Sequence, residues 1–249
     1  MEKFEAILTD VEGTTTSIDF VKNILFPFSF QHAGNFLRKL TINEEQKQPK
    51  ILEDLINTSN EYAKGDNKVL AIELNDECET RISKLTSNVL LWIKQDKKYT
   101  ALKNLQGLIW EDGYQKGLIK AHVYPDVPIA FNRLKEANIP IHIFSSGSIW
   151  AQKLLYAHTD YGDLEKFISS HFDTTIGPKF EKESYQRIVE QLGVAPNNVL
   201  FLTDIEKEAY AAKSAGLQTR LALRPGNAPL SEKALKEFTT FSTFEEIFN

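Results

Sequence analysis

Apolar runs of strand length recur along the chain, and most of them end directly before a polar or glycine-containing turn. The runs are Phe4–Thr9, Ile139–Phe144, Phe172–Ile176, Val199–Thr203 and Thr219–Leu223. A continuous apolar run of this length between turn residues is typical of a strand that is buried on both faces. We therefore predict a strand at each of these positions.

Segments with helical periodicity alternate with the runs from His122 onward. Their predicted starts are Asp126, Ser148, Ser184 and Glu206, and the last two are predicted to end at Gly193 and Gly216. Asp126 and Ser148 carry side-chain oxygens that can cap a helix. Strands that alternate with helices predict an α/β fold, a Rossmann-like doubly wound parallel sheet with helices on both faces.

The segment from about Ile18 to Leu118 has a different pattern and interrupts the sheet after the first strand. Its apolar residues recur at helical spacing, as in Leu52–Ile56 and Leu85–Ile93. Asn43–Glu45 resembles a helix start, and Lys64–Gly65 resembles a helix end. We predict that residues 1–16 and 120–249 form the α/β core, and that residues 17–119 form an inserted all-helical domain.

Composition and charge narrow the choice of partners. The 249-residue chain has a net charge of −5, so we expect neither nucleic acid nor an anionic membrane as a partner. No apolar stretch approaches the length of a membrane span. Cys78 is the one cysteine, which excludes an intramolecular disulfide. We expect a monomer in the cytoplasm, and a nuclear share stays open.

Polar groups that can carry chemistry lie at or near the ends of the predicted strands. They are Asp10, Ser145, Lys179 and Asp204. Ligands of open parallel sheets bind outside the carboxyl ends of the strands, where residues far apart in sequence meet. We therefore expect these side chains to lie on one edge of the sheet.

The acidic turn after the first strand supplies two candidate catalytic groups. Asp10 at a strand end is a candidate nucleophile or metal ligand, because carboxylates form covalent phosphoryl intermediates. Glu12 lies two residues on and is a candidate acid and base. Acidic turns are also common structural features, so a loop-capping Asp10 and a solvated Glu12 stay open as alternatives.

Two serines follow the second predicted strand. The hydroxyl and backbone N–H groups of Ser145 and Ser146 suit oxyanion binding, and Gly147 keeps the backbone accessible. The alternative is a serine-rich turn that only leads into the next helix. Ser148 is the better candidate for that capping role.

Lys179 and Asp204 complete the candidate set. Lys179 can neutralise a phosphate, although Lys182 is a nearby competitor and most lysines are solvated. Asp204 ends the most apolar run, which suits a magnesium ligand. Glu208, one helical turn on, is a candidate to orient waters of the metal, or an ordinary exposed glutamate.

Several other classes of chemistry lack support in the sequence. It contains no phosphate loop of the GxxxxGK[ST] type, no GxGxxG fingerprint and no HExxH zinc motif. His142 falls inside a predicted strand and is interpreted as structural. Arg224–Asn227, with the sequence RPGN, is interpreted as a turn.

These residues, in this order on a Rossmann-like frame, resemble the haloacid dehalogenase superfamily. Most phosphatases of that superfamily carry Asp at the second acidic position, whereas this chain has Glu12, within LTDVEGTTTSIDFV. That substitution is characteristic of the methionine-salvage enolase-phosphatases, as are the strings GLIWEDGY, HVYPDVP, IFSSGS, FLTDIEKEA and RPGN. The resemblance runs from about Phe4 to Arg224 and beyond, and is weakest in residues 43–88.

The resemblance implies a helical cap inserted after the first strand and a phosphatase that forms an aspartyl-phosphate at Asp10. The substrate would be 2,3-diketo-5-methylthiopentyl-1-phosphate, which is enolised and then dephosphorylated. By matching motif, Asp10 and Asp204 would hold one Mg²⁺ ion per subunit. Glu12 would complete the site through its backbone carbonyl, which leaves its side chain for acid–base work. The residues implied in substrate binding are Ser145, Ser146 and Lys179.

Three alternatives remain at this point. Another phosphatase of the superfamily would share the core residues and act on a different small phosphate ester. A non-catalytic phosphate-binding protein is possible on any fold. A dehalogenase would use the Asp10 nucleophile without a metal, and Asp204 and Glu12 argue against it.

Overall fold

The computed structural model describes residues 4–42 and 50–248. The chain divides into two compact units. The first consists of Met1–Val21 together with Lys120–Asn249, and the second of Lys22–Ile119. The first unit contains the sheet, and the second contains helices only, among the residues described.

A six-stranded parallel sheet forms the centre of the first unit. Its strands are β1 (Ala6–Thr9), β2 (Ile141–Phe144), β3 (Ile168–Phe172), β4 (Val199–Thr203), β5 (Gln218–Ala222) and β6 (Thr239–Phe241). Their order across the sheet is β3-β2-β1-β4-β5-β6, and every neighbouring pair is parallel. Strands β2 and β3 lie on one side of β1, and β4 to β6 lie on its other side. This change of side beside the first strand is typical of a doubly wound sheet. The predicted fold class is therefore confirmed.

Helices connect these strands and make up the second unit. They are α1 (Ile18–Phe20), α2 (Phe26–Ile42), α3 (Lys50–Tyr62), α4 (Cys78–Lys94), α5 (Thr100–Gln115), α6 (Asp126–Glu136), α7 (Ile149–Ala157), α8 (Lys182–Leu192), α9 (Glu206–Ser214) and α10 (Glu232–Glu237). A π-helical turn, Val21–Leu25, joins α1 to α2.

The core of the first unit follows from the strand pattern. Successive side chains of a strand point to opposite faces of the sheet. Ala6 and Leu8 of β1 pack in one apolar cluster with Tyr185 and Ile188 of α8. Ile7, between them, is also fully buried. Because β1 is covered on both faces, its sequence is a continuous apolar run and not an alternating one.

The second unit has an apolar core of its own. Helices α2 to α5 enclose buried residues that include Leu55, Val89, Trp92 and Leu105. Residues 63–77 connect α3 to α4 without helical structure. The Asn88 side chain bonds to the backbone N–H and carbonyl of Leu70, which satisfies this irregular segment without a helix. The predicted start at Asn43–Glu45 lies outside the described residues.

Two predicted elements need correction. The strand predicted at Phe172–Ile176 ends at Phe172 instead, because the Asp173 carboxylate accepts hydrogen bonds from the N–H and hydroxyl of Thr175 and makes a turn there. Asp126 does not cap α6 but is its first residue. Its carboxylate pairs with Arg224, and its capping role was wrongly predicted for that reason.

Other predictions are close to the structure. Ser148 caps α7, where its hydroxyl accepts from the Ala151 N–H. Strand β4 has the predicted bounds, Val199–Thr203.

The sixth strand, Thr239–Phe241, was not predicted, because it is short and only its last residue is buried. Across the described residues, no helix is both long and apolar enough to span a bilayer.

Candidate active site

The candidate residues of the sequence lie at the carboxyl edge of the sheet. Asp10, Ser145 and Asp204 directly follow β1, β2 and β4. In the register of the sheet, Thr9 is opposite both Ile143 and Leu202, so these three strands end side by side. All of the site residues discussed below belong to the first unit.

A buried ion-pair network lies at the centre of this edge. The Lys179 ammonium is 2.5 Å from Oδ1 of Asp10 and 2.8 Å from Oε2 of Glu208. Asp10 and Lys179 are only 5% and 7% exposed. Burial alone would lower the pKa of Lys179, but the charges of Asp10 and Glu208 outweigh it and raise that pKa. The ammonium therefore stays charged and close to the Asp10 carboxylate.

The backbone around Lys179 is held from below by an aromatic cluster. The Tyr185 hydroxyl donates a 2.6 Å hydrogen bond to the Lys179 carbonyl. The Tyr185 ring packs edge-on against Phe144 and Phe201, at centroid distances of 5.5 and 5.1 Å. Because these rings sit in the core, the position of Lys179 is fixed by close packing as well as by charge.

Asp204 is buried and incompletely paired. It is 6% exposed, and its Oδ1 has no hydrogen-bond partner within the part of the chain that the structure describes. Burial, together with the charges of Asp10 and Glu208, raises the pKa of Asp204. A buried carboxylate in this position is costly unless a cation or proton accompanies it.

Glu208 is oriented by two donors. Its Oε2 accepts from the Thr203 hydroxyl at 2.8 Å as well as from Lys179. Burial raises the pKa of Glu208, an effect that the Lys179 charge opposes. Glu208 thus holds Lys179 directly, and its candidate role of orienting metal waters stays a prediction.

The turn after β1 is a tightly bonded loop. The Val11 carbonyl accepts from the N–H groups of Thr15 and Thr16, both at 3.0 Å. The Thr15 hydroxyl also bonds to the buried Tyr156 hydroxyl at 2.7 Å. Glu12 lies within this loop and is exposed, and it forms an isolated parallel bridge with Thr16. The loop therefore presents Glu12 to solvent from a rigid base.

Gly13 is required at its position for two separate reasons. Its φ is +74°, a value that other residues adopt only at a cost. A Cβ at Gly13 would also lie 2.4 Å from Oδ2 of Asp204 and 2.9 Å from Oδ1 of Asn227. The loop after β1 therefore contacts Asp204 closely only because residue 13 has no side chain.

The serine turn after β2 is held by a glutamine that the sequence analysis did not identify. Ser145 is buried and its Oγ accepts from the Gly147 N–H at 3.1 Å, whereas Ser146 is exposed. The Gln152 side chain donates to the carbonyls of Gly147 at 2.8 Å and Phe172 at 2.9 Å. The turn thus has a fixed backbone, with Ser146 open to a ligand.

The donor groups at this edge fit a magnesium ion. Asp10, Asp204 and Glu208 bring more negative charge than Lys179 offsets. Within residues 4–42 and 50–248, no group of three or more His, Cys, Asp and Glu side chains forms a metal site by itself. Magnesium needs only one or two carboxylates and takes its other ligands from water, carbonyls and substrate oxygens. The Oδ1 of Asp204, which has no hydrogen-bond partner in the described residues, is the strongest candidate ligand for such an ion.

The structure thus brings Asp10, Lys179 and Asp204 together and places the two serines in the turn after the neighbouring strand, β2. It also adds Tyr185, Gln152 and Asn227, which the sequence analysis did not identify as site residues. A polar residue that follows an apolar helix start, such as Gln152, gives no local signal of its contacts. The sequence predicted the RPGN turn, but only the tertiary contacts of this turn distinguish it from any other turn.

The chain belongs to the haloacid dehalogenase-like hydrolase family. The family model with that description, a hydrolase, matches residues 4–216, which is most of the chain. The matched residues include strands β1 to β4 and both Asp10 and Asp204.

Relatives of high similarity carry a more specific name. Enolase-phosphatase E1 of Caenorhabditis elegans is 48% identical over 246 residues, which cover 98% of this chain and 97% of that protein. A Populus trichocarpa protein, named as a probable bifunctional methylthioribulose-1-phosphate dehydratase/enolase-phosphatase E1, is 43% identical over 97% of this chain and 46% of its own length. These similarities confirm the resemblance that the motifs indicated.

A solved structure supports the same fold. The UTR4 protein of Saccharomyces cerevisiae has a TM-score of 0.76 and 30% sequence identity, and the match covers 98% of this chain and 99% of that one.

Proposed function

We propose that this protein is a bifunctional enolase-phosphatase of methionine salvage. It converts 2,3-diketo-5-methylthiopentyl-1-phosphate into 1,2-dihydroxy-3-keto-5-methylthiopentene and phosphate. The observation that carries the proposal is the buried Asp10–Lys179 ion pair beside the Asp204 carboxylate, whose Oδ1 has no hydrogen-bond partner in the described residues. The names of the relatives support the enolase-phosphatase activity, and the plant relative's name supports its place in methionine salvage.

Asp10 is assigned as the nucleophile of phosphoryl transfer. One of its carboxylate oxygens forms a bond to phosphorus as the bond from phosphorus to the ester oxygen breaks, which gives an aspartyl-phosphate. Lys179 is 2.5 Å from Asp10, and this ion pair holds the carboxylate in position. Glu12 protonates the departing ester oxygen. In the second step Glu12 takes a proton from a water molecule. The water oxygen bonds to phosphorus as the bond from phosphorus to Asp10 breaks, which releases phosphate and restores Asp10.

Charge neutralisation is divided among the other residues. The Ser145–Ser146 turn supplies hydroxyl and N–H donors to the phosphate oxygens, and Lys179 supplies a positive charge. Asp10, Asp204 and the Glu12 carbonyl would hold one Mg²⁺ ion, which when bound supplies the positive charge that phosphoryl transfer and enolisation both require.

The enolisation base is assigned to Glu12 as a hypothesis, because Glu12 is exposed and lies on the same loop as Asp10 at the edge of the site. Glu12 would take the proton from the substrate carbon and later return a proton to the ester oxygen. We expect a Glu12→Gln variant to lose proton exchange into the diketone. Exchange that persists in this variant would rule out Glu12 as the base.

The test of the proposed function uses purified protein, Mg²⁺ and the diketo phosphate. Absorbance of the enol products and release of inorganic phosphate are followed together, with Asp10→Asn as the control. Both signals should appear, require Mg²⁺ and be absent in the control. Phosphate without prior enolisation, or only from unrelated esters, would favour another phosphatase of the family.

The expectations on partners and location are part of the same proposal. A small phosphorylated diketone is the partner that the site chemistry favours. A monomer, and a cytoplasmic location with a nuclear share left open, stay predictions.

A further inference from the structure

The Arg224–Asn227 turn contacts the loop that follows β1. The Arg224 Nε donates to the Thr14 carbonyl at 3.1 Å, and the Asn227 Nδ2 donates to the Gly13 carbonyl at 2.9 Å. The same Asn227 amide also donates to the Ala222 carbonyl at the end of β5, at 3.2 Å. Two consecutive carbonyls of the loop are thus held by a segment more than two hundred positions away in sequence.

The two anchors differ in their surroundings. The Arg224 guanidinium is also paired with Asp126 and lies 4.3 Å from the centre of the Tyr124 ring, so it serves the structure of the unit as a whole. Asn227 has no such further partners in the described chain. Its Oδ1 is buried without a hydrogen-bond donor, and so is Oδ1 of Asp204.

Gly13 lies between the Asp204 carboxylate and the unsatisfied amide oxygen of Asn227. The point where a Cβ of Gly13 would lie is 2.4 Å from Oδ2 of Asp204 and 2.9 Å from Oδ1 of Asn227. An amide oxygen from the turn after β5 and a carboxylate from the end of β4 thus approach the same point. Acceptor oxygens that lie this close to one another are unfavourable unless a cation or a donor group is shared between them.

We propose that Asn227 is a positioning residue for the divalent cation of this site. Its amide nitrogen fixes the Gly13 carbonyl, and with it the loop that carries Asp10 and Glu12. Its amide oxygen adds an acceptor beside Asp204 for the donors that a hydrated magnesium ion brings, since magnesium keeps several of its waters. The proposal rests on the assignment of a metal site to Asp10 and Asp204.

Asparagine is the residue that this role requires. A leucine has nearly the same size but neither donor nor acceptor, and an alanine leaves the Gly13 carbonyl without its partner. Residues that hold metal ligands in place typically change metal affinity by about 10- to 100-fold when they are replaced. We therefore expect the affinity for the cation to fall by about tenfold or more in both variants.

The experiment measures binding of Mn²⁺, as a probe for Mg²⁺, by the electron paramagnetic resonance signal of the free ion. It compares the unaltered protein with Asn227→Ala and Asn227→Leu. Asn227→Leu keeps the volume and serves if Asn227→Ala does not fold. The matched control is Asn60→Ala, which loses a comparable carboxamide clamp on the Ile72 backbone within the second unit.

The expected result is weaker Mn²⁺ binding in the Asn227 variants and unchanged binding in Asn60→Ala. The Mg²⁺ concentration for half-maximal activity should rise in the same ratio, with KM for the phosphate ester unchanged at saturating Mg²⁺. Equal Mn²⁺ affinity in all four proteins would overturn the role of Asn227 and leave the proposed function intact. An equal loss in Asn60→Ala would also overturn it, because the effect would then be general destabilisation. If the unaltered protein binds no divalent cation, the proposed function fails together with this inference.

Discussion

At the scale of single residues, Lys179 decides the electrostatics of the site. It is buried between Asp10 and Glu208 and forms an ion pair with each of these carboxylates. A buried ion pair contributes little net stability, but removing one partner leaves an uncompensated charge and costs about 3 kcal/mol or more. Lys179 therefore has a structural effect that most lysines do not have.

The Lys179→Met variant should lose activity and stability together. In the absence of metal at pH 8, we expect its free energy of unfolding to fall by about 3 kcal/mol. The raised pKa of Glu208 means that its contribution to stability is present at low pH and is lost as pH rises through that pKa. The loss should therefore be smaller at pH 5, where Glu208 takes up a proton.

Urea unfolding at both pH values measures this difference. Lys182→Met is the control, because Lys182 lies close in sequence but is exposed at the start of α8. A loss of stability that is the same at pH 5 and pH 8 would contradict the assigned charge coupling.

Gly13 is the second residue whose effect is set by its surroundings. A Gly13→Ala variant should lose stability, because alanine is strained at a positive φ. It should also displace Asp204, because the new Cβ would lie 2.4 Å from the Asp204 Oδ2. Gly193 has a φ of +66° and no atom within 4 Å of the same point, so Gly193→Ala isolates the backbone effect. That effect is about 1 kcal/mol.

We expect Gly13→Ala to lower stability by more than Gly193→Ala and to abolish Mg²⁺-dependent phosphatase activity, whereas Gly193→Ala stays active. Thermal unfolding and phosphate release measure the two effects. Similar behaviour of both variants would show that the close approach to Asp204 has no functional role.

At the scale of elements, the proposed catalytic and substrate-binding groups lie in connections, and residues of the helices hold them in place. Strand β2 and helix α7 are joined by the turn that contains Ser145 and Ser146. Gln152 of α7 fixes this turn through Gly147, and the end of β3 through Phe172. Its own Oε1 contacts His171 Nδ1 at 3.0 Å, so the amide is held in one orientation. A rigid helix thereby sets the geometry of a short loop.

A Gln152→Leu variant should bind phosphate esters more weakly. The serine turn would lose its hydrogen bond from Gly147 to α7, and the adjoining end of β3 would lose the one from Phe172. KM should therefore rise by about tenfold, which corresponds to about 1.4 kcal/mol. The effect on kcat should be smaller, since Asp10 and Lys179 are untouched. Inhibition by inorganic phosphate should weaken in parallel, and steady-state kinetics measure both quantities.

An increase in KM without weaker inhibition by phosphate would contradict this account, because the turn is proposed to bind the phosphate group itself. Gln106→Leu in α5 provides a comparison, since Gln106 is a buried amide of the second unit and its Nε2 contacts Ser29 Oγ at 3.4 Å.

At the scale of the whole molecule, the charge surplus of the site predicts that stability depends on the cation. A ligand at about 100 times its Kd adds about 2.7 kcal/mol to the free energy of unfolding. For a chain of this size that corresponds to an increase in Tm of about 5 to 10 °C. Saturating Mg²⁺ should therefore raise Tm by roughly this amount over protein in a chelator.

The Asp204→Asn variant should lose this shift. Its Tm without metal should exceed that of the unaltered protein, because a buried carboxylate with an unpartnered oxygen is replaced by a neutral amide. Asp160→Asn, at an exposed aspartate, is the control for loss of one negative charge. A full Mg²⁺ shift in Asp204→Asn would place the cation elsewhere.

The sequence by itself determined the fold class, most of the elements and the chemical type of the site. Buried strands are apolar runs, and polar residues at their ends mark the carboxyl edge, so these features are local and visible without coordinates. Asp10 and Asp204 were predicted in this way, and Ser148 as a cap. The prediction of a strand at Phe172–Ile176 was wrong, because the Asp173 side chain forms a turn in a segment whose composition also suits a strand.

Only the tertiary structure decided which groups are partners. Asp10 and Lys179 are 169 positions apart, and nothing in the local pattern distinguishes Lys179 from Lys182. The assignment of Glu208 to Lys179, of Gln152 to the serine turn and of Asn227 to Gly13 likewise depends on contacts between distant segments. The physical reason is that burial, register and close packing act on the folded chain, whereas composition and periodicity report only what each segment favours alone.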